Sequence, residues 1–111
     1  MSPPTLGPLE LAVLLAVARL HDDAYGLEIR QDVSARTRHD YSVGAIYATL
    51  DRLAEKGFVT ARTASVVPTR GGRARRQFKL TAAGSRALAH AERRAASVWS
   101  GVGSRLRPES A

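Results

Sequence analysis

Leu9, Val13, Ala16 and Leu20 recur at helical spacing, and Leu11, Leu14 and Leu15 widen that stripe until it covers most of a helix surface. The pattern predicts a first helix over roughly 8–21, opened by Pro8, whose fixed φ suits a first helical turn. A helix apolar on most sides belongs at the centre of a fold or in a subunit interface. His21-Asp22-Asp23-Ala24 reads as a turn, and Leu27, Ile29 and Val33 mark a second helix over roughly 25–36, closed by the polar run Thr37 to Tyr41. In the third, roughly 43–57, Val43, Ile46, Leu50 and Leu53 share one face, with Ser42 as the N-cap and Gly57 as the terminal glycine. Its other face holds Ala45, Ala48, Thr49, Arg52 and Lys56. Small residues followed by cations make an unusual solvated face, where Glu–Lys pairs are the rule, and small residues let a helix approach something closely.

The period then changes. Phe58 to Val66 is rich in β-branched residues and reads as a strand. Arg75 to Leu80 reads as its partner, with Arg76, Phe78 and Leu80 on one side and Gln77 and Lys79 on the other. Pro68 and Gly71-Gly72 between them make a hairpin tip. Thr81 caps a last helix, roughly 82–100, striped by Leu88, Ala91, Ala95, Val98, Trp99 and Val102, and Gly101 and Gly103 are expected to fray its end. The expected fold is therefore mainly α with a two-stranded β-wing. It comprises a tail at 1–7, a winged helix-turn-helix domain at 8–81, a C-terminal helix at 82–104 and a second tail at 105–111. In that arrangement the third helix enters a major groove and the wing touches the adjacent backbone or minor groove.

Charge sharpens this. The chain of 111 residues is one domain's length and carries +7 at neutral pH, with a pI near 11. From Lys56 to Ala91 there are eight Lys or Arg and no acid, and fifteen of the seventeen basic residues are Arg. Arginine suits bidentate phosphate or guanine contact, although coding bias in a GC-rich genome gives the same excess. There is no cysteine, so neither a disulfide nor a thiolate metal site is available. His21, His39 and His90 lack metal-ligand spacing, and Asp22 and Asp23 read as a turn and cap, so neither metal nor cofactor is expected. No nucleophile elbow or phosphate loop supports an enzyme. The longest apolar run, Leu11 to Ala18, is too short to span a bilayer, and the start Met-Ser-Pro-Pro lacks a basic leader. The expectation is a cytoplasmic protein with no membrane partner.

The candidate DNA readers on the third helix are Ser42, Ala45, Tyr47, Thr49 and Arg52, with the backbone N–H groups near Ser42 open to a phosphate. Tyr47 lies beside the apolar stripe, so its ring suits the core while its hydroxyl suits DNA. On the wing the candidates are Arg70, Arg73, Arg75 and Arg76, the last of which has an inward alternative, pairing with an acid. Leu88, Ala91, Ala95, Val98, Trp99 and Val102 are the candidate dimer interface, since a monomer this small would otherwise expose the stripe. Trp99 is also the candidate ligand contact, by ring stacking.

Tyr25-Gly26-Leu27-Glu28-Ile29, Ser42 to Leu53, Glu55-Lys56-Gly57-Phe58-Val59 and Gly72 to Gly84, in that order and spacing, resemble the PadR family of bacterial transcriptional regulators. Leu6-Gly7-Pro8-Leu9-Glu10 resembles the start of that family's domain, and the likeness covers roughly residues 6–88. The resemblance implies a homodimer joined through the C-terminal helices, bound to a palindromic double-stranded DNA operator. It implies repression of a nearby gene, relieved by a small aromatic or multidrug-like effector. The chain departs from the pattern at Gln77, where an aromatic is usual, and at Ala48, which replaces a common Pro and leaves the third helix straighter. The rival reading is a winged-helix adaptor for a protein or RNA, which has no need of four arginines at the wing tip.

Overall fold

In the computed structural model the described residues are 5–21, 24–63 and 76–106. The elements run α1 (Pro8–Leu20), α2 (Gly26–Thr37), α3 (Val43–Glu55), β1 (Val59–Thr63), β2 (Arg76–Leu80), α4 (Ala82–Trp99) and α5 (Gly103–Leu106). The expected order is present. The expected turn at Asp22-Asp23, the end of the first strand beyond Thr63 and the hairpin tip with Arg70, Arg73 and Arg75 lie outside the described residues.

α1 is the hub, as its near-continuous apolar surface requires. Its Val13, Leu14, Ala16 and Val17 are buried against α2, α3, β2 and α4. Ile29 and Val33 of α2, Ile46, Leu50 and Leu53 of α3, then Phe58, Val59 and Phe78 complete the core. α3 ends in a Schellman motif: Gly57 takes φ +80°, its N–H donates to the Ala54 carbonyl, and the Phe58 N–H donates to Leu53. Leu53 and Phe58 are both buried beneath that turn.

β1 and β2 are antiparallel, with Val59 opposite Leu80, Ala61 opposite Phe78 and Thr63 opposite Arg76. Phe78 points into the core, so Thr60, Arg62, Gln77 and Lys79 form the outer face, where Arg62 donates to the Gln77 side-chain oxygen at 2.8 Å. One feature lacks a sequence signal. The free edge of β2 is covered by the chain entering α2, where the Phe78 N–H donates to the Ala24 carbonyl at 2.8 Å and Tyr25 forms a bridge with Gln77. That short pairing ties the wing to α2 and protects the edge.

The wing leads directly into α4. The Thr81 hydroxyl accepts from the Gly84 N–H at 2.9 Å and donates to the Gly57 carbonyl at 2.6 Å. α4 ends at Trp99, capped by Ser100 in an extended conformation ahead of Gly101 at φ +78°, and a single turn, α5, follows. Among the described residues no helix is long and apolar enough to cross a membrane, and no group of metal-ligating side chains gathers.

Candidate nucleic-acid interface

α3 begins where the sequence places it. The Ser42 hydroxyl accepts from the Ala45 N–H at 3.1 Å, and the turn ahead of it is held by Arg30, which donates to the Tyr41 carbonyl at 2.7 Å and pairs with Asp40 at 3.2 Å. Arg38 and His39 in this turn are exposed, Arg38 at φ +55°. Ser42, Val43, Gly44 and Ala48 are exposed along the first two turns, with Ala45 and Tyr47 half-buried at the flanks. The helix thus offers a narrow surface without large polar side chains over its N-terminal half.

Two placements differ from the sequence reading. Thr49, expected on the open face, is fully buried; its hydroxyl donates to the Ala45 carbonyl at 2.8 Å and accepts from Arg52 at 3.2 Å. The physical reason is shape. Threonine is β-branched like valine, and once the helix carbonyl satisfies its hydroxyl it packs beside Ile46 and Leu53 at little cost. Val43, expected in the core stripe, is half exposed. The outermost line of α3 is therefore Gly44, Ala48, Asp51 and Glu55.

Tyr47 and the base of the wing form one cluster. The Tyr47 ring packs against Phe78, with centroids 6.2 Å apart and planes inclined by 59°. The Arg76 guanidinium lies over both rings, 5.6 Å from Tyr47 and 5.2 Å from Phe78, and pairs with Asp51 at 3.1 Å. Arg76 thus takes its inward alternative. Gly26 makes room for Tyr47, because a Cβ there would stand 2.1 Å from the Tyr47 hydroxyl.

Arg52 leans towards α1, its Nε 3.9 Å from Glu10, and remains half exposed. Lys56 pairs with the same Glu10 oxygen at 2.8 Å, and the Gly7 N–H donates to the other at 2.9 Å. Burial alone would raise the Glu10 carboxyl, but the hydrogen bonds from Lys56 and Gly7, with the charges of Lys56 and Arg52, outweigh it and hold the group below its ordinary value. On the far side of the fold, hydrogen bonds from Arg19 to Asp32 outweigh the cost of burial and, with Arg36, hold that carboxyl low as well.

α4 runs clear of the core after its first turns. Leu88 packs on the molecule's own core and Ala91 is half-buried, whereas Ala95, Val98, Trp99 and Val102 are exposed, Val98 by 72% and Trp99 by 58%. Between α4 and the chain entering α1 lies an open groove of about 450 Å³, lined among others by Leu6, Leu11, Ala91, Val98 and Trp99.

Gly26, Gly44, Glu10 and Asp51 carry no local sequence signal that marks them as site residues. Gly26 lies in the Tyr25 to Ile29 stretch that resembles the family, but nothing local says which side chain needs its missing Cβ. Glu10 and Asp51 matter through partners 46 and 25 residues away, which no periodicity reveals.

The family model described as the Transcriptional regulator PadR-like family matches residues 14–90. A PadR-like transcription factor from Bacteroides fragilis has 25% identity and a TM-score of 0.68 over 86% of this chain and 86% of its own. A PadR-like regulator from Bacillus cereus has 21% identity and a TM-score of 0.69 over 91% and 93% of the two chains. A PadR family regulator from Clostridium difficile has 20% identity and a TM-score of 0.68 over 91% and 100%. No curated protein matches the sequence significantly.

Proposed function

Because the chain belongs to the PadR-like family, whose members are transcription regulators and not enzymes, we propose that it is a dimeric repressor that binds a palindromic operator near the gene it controls. The observation that carries this reading is the open N-terminal half of α3, with the cations Arg62 and Lys79 on the outer face of the hairpin that follows it. Ser42, Gly44, Ala45 and Ala48 allow close approach to base edges, and the first-turn N–H groups face a phosphate. Tyr47 flanks that surface and Arg52 lies beyond it in the last turn of α3, while Arg70, Arg73 and Arg75 are assigned phosphate contacts from the sequence. Thr49 supports the helix from within and reads nothing.

The apolar stripe that runs from Ala91 on α4 to Val102 just past its end forms the dimer interface, and a small aromatic effector stacks on Trp99 in the adjoining groove. Effector binding there changes the spacing of the two α3 helices, which must match half-sites about one helical turn apart.

Affinity that depends on neutralising roughly six to ten phosphates falls by about 10³–10⁵ between about 50 and 200 mM salt. Fluorescence anisotropy of the protein with its own upstream DNA, against a scrambled duplex at two salt concentrations, tests this. Salt-sensitive binding that favours the upstream sequence by about 10³ or more is the expected result. Equal, weak binding to both duplexes sinks the operator reading in favour of an adaptor.

A further inference from the structure

The outer line of α3 passes from Gly44 and Ala48 to Asp51, and a carboxylate is an odd group to place on a surface that meets a polyanion. An ionised carboxylate only accepts hydrogen bonds, so it finds no partner on a phosphate. Asp51 is 57% exposed, yet its Oδ1 accepts from Arg76 at 3.1 Å. Arg76, 39% exposed, is held a second way by the faces of Tyr47 and Phe78. An exposed ion pair alone contributes little in water, too little to keep an arginine from a nearby phosphate. Stacking on two rings adds a contribution that a phosphate does not replace.

We propose that Asp51 is a positioning residue that holds Arg76 against the Tyr47 and Phe78 rings and off the DNA backbone, so lowering non-specific binding relative to operator binding. The inference rests on the DNA-binding reading above. A guanidinium already neutralised by a carboxylate displaces no counterion from DNA and adds nothing to the sequence-independent part of the affinity. Freed from Asp51, the same guanidinium swings from the base of the wing to the nearest phosphate and strengthens binding to every sequence alike. Glu55, one turn further along α3, is also exposed and pairs with no cation among the described residues. It carries the same charge without the arginine and so serves as the internal control.

The test compares the wild-type protein, Asp51→Asn, Glu55→Gln and the double variant Asp51→Asn with Arg76→Gln. Each is titrated by anisotropy against a random-sequence duplex and the upstream duplex over a salt series. Asp51→Asn is expected to steepen the log–log salt slope on random DNA by about 0.9, the value of one added phosphate contact, and to lower the upstream-to-random ratio. Glu55→Gln leaves the slope near wild type, and the double variant loses the gain. Equal shifts in Asp51→Asn and Glu55→Gln overturn the inference, because bare charge then explains both; so does an unchanged slope in Asp51→Asn. If the double variant does not fold, the contrast between the two single amides still decides. A wild-type protein that binds neither duplex overturns the DNA-binding reading and this inference with it, an outcome distinct from a binding protein whose slope ignores Asp51.

Discussion

Two glycines show how differently the same atom is missed. A Cβ on Gly84 would stand 2.2 Å from the Phe58 carbonyl oxygen and 2.7 Å from a Leu80 methyl, and the carbonyl belongs to a backbone already fixed by the N–H of Thr81. A Cβ on Gly26 would meet the Tyr47 phenol, the far end of a side chain that can turn. Gly84→Ala is therefore expected to cost roughly 1–3 kcal/mol as overpacking against rigid backbone. Gly26→Ala is expected to cost less and to push Tyr47 off its place beside Arg76. Urea denaturation midpoints of the two variants check the ranking, and a Gly26→Ala protein less stable than Gly84→Ala reverses it. Thr49 carries the same lesson. Its polarity on paper argues for solvent, but one helix carbonyl 2.8 Å away turns it into a core residue.

At the scale of elements, the contact between the start of α1 and the end of α3 is electrostatic as well as apolar. Glu10 joins them by accepting from Lys56 while it also accepts from the Gly7 N–H. Its carboxyl is lowered from an ordinary 4.5 in the folded protein, so the folded state binds its proton more weakly than the unfolded chain does. The stability this supplies is fully present above the unfolded value and disappears as pH falls through the lowered one. Asp32, lowered from 3.8, adds in the same sense at still lower pH. Thermal melts from about pH 6 down to pH 2 are expected to show a loss of stability, and Glu10→Gln is expected to flatten its upper part. A Glu10→Gln profile parallel to the wild type over that range removes Glu10 from the account. The α-helices themselves were legible because each buries one face at a fixed period. The strand-like pairing of Ala24 and Tyr25 with β2 was not, since one bridge leaves no alternation to read.

The whole molecule carries an apolar surface that its own fold does not cover. Beyond Leu88, α4 exposes Val98 and Trp99, the turn after it exposes Val102, and α5 adds Leu106. An exposed patch on a monomer calls for a partner or a ligand. The proposed dimer predicts a single species of about twice 11.9 kDa in sedimentation at micromolar concentration. Val98→Asp is expected to shift it to the monomer, with Trp99 emission moving to the red as its ring enters water. A monomeric wild-type protein at every concentration would leave α4 to some other partner and would remove the palindromic operator from the proposal.

The division between what was readable in the chain and what needed the fold follows from range. Helix and strand identities depend on apolar spacing within a turn or two, and capping on residues three or four apart. Ser42 on Ala45 and the Gly57 turn are accordingly where the chain's own pattern puts them. The segregation of positive charge is likewise a property of order along the chain. Which line of α3 faces outward is different. It depends on how α1 and Phe78 pack against that helix, and that packing buries Thr49, releases Val43 and leaves Gly44, Ala48 and Asp51 outermost. The cluster of Gly26, Tyr47, Asp51, Arg76 and Phe78 draws on α2, α3 and β2 at once, so only the tertiary structure brings its members within reach.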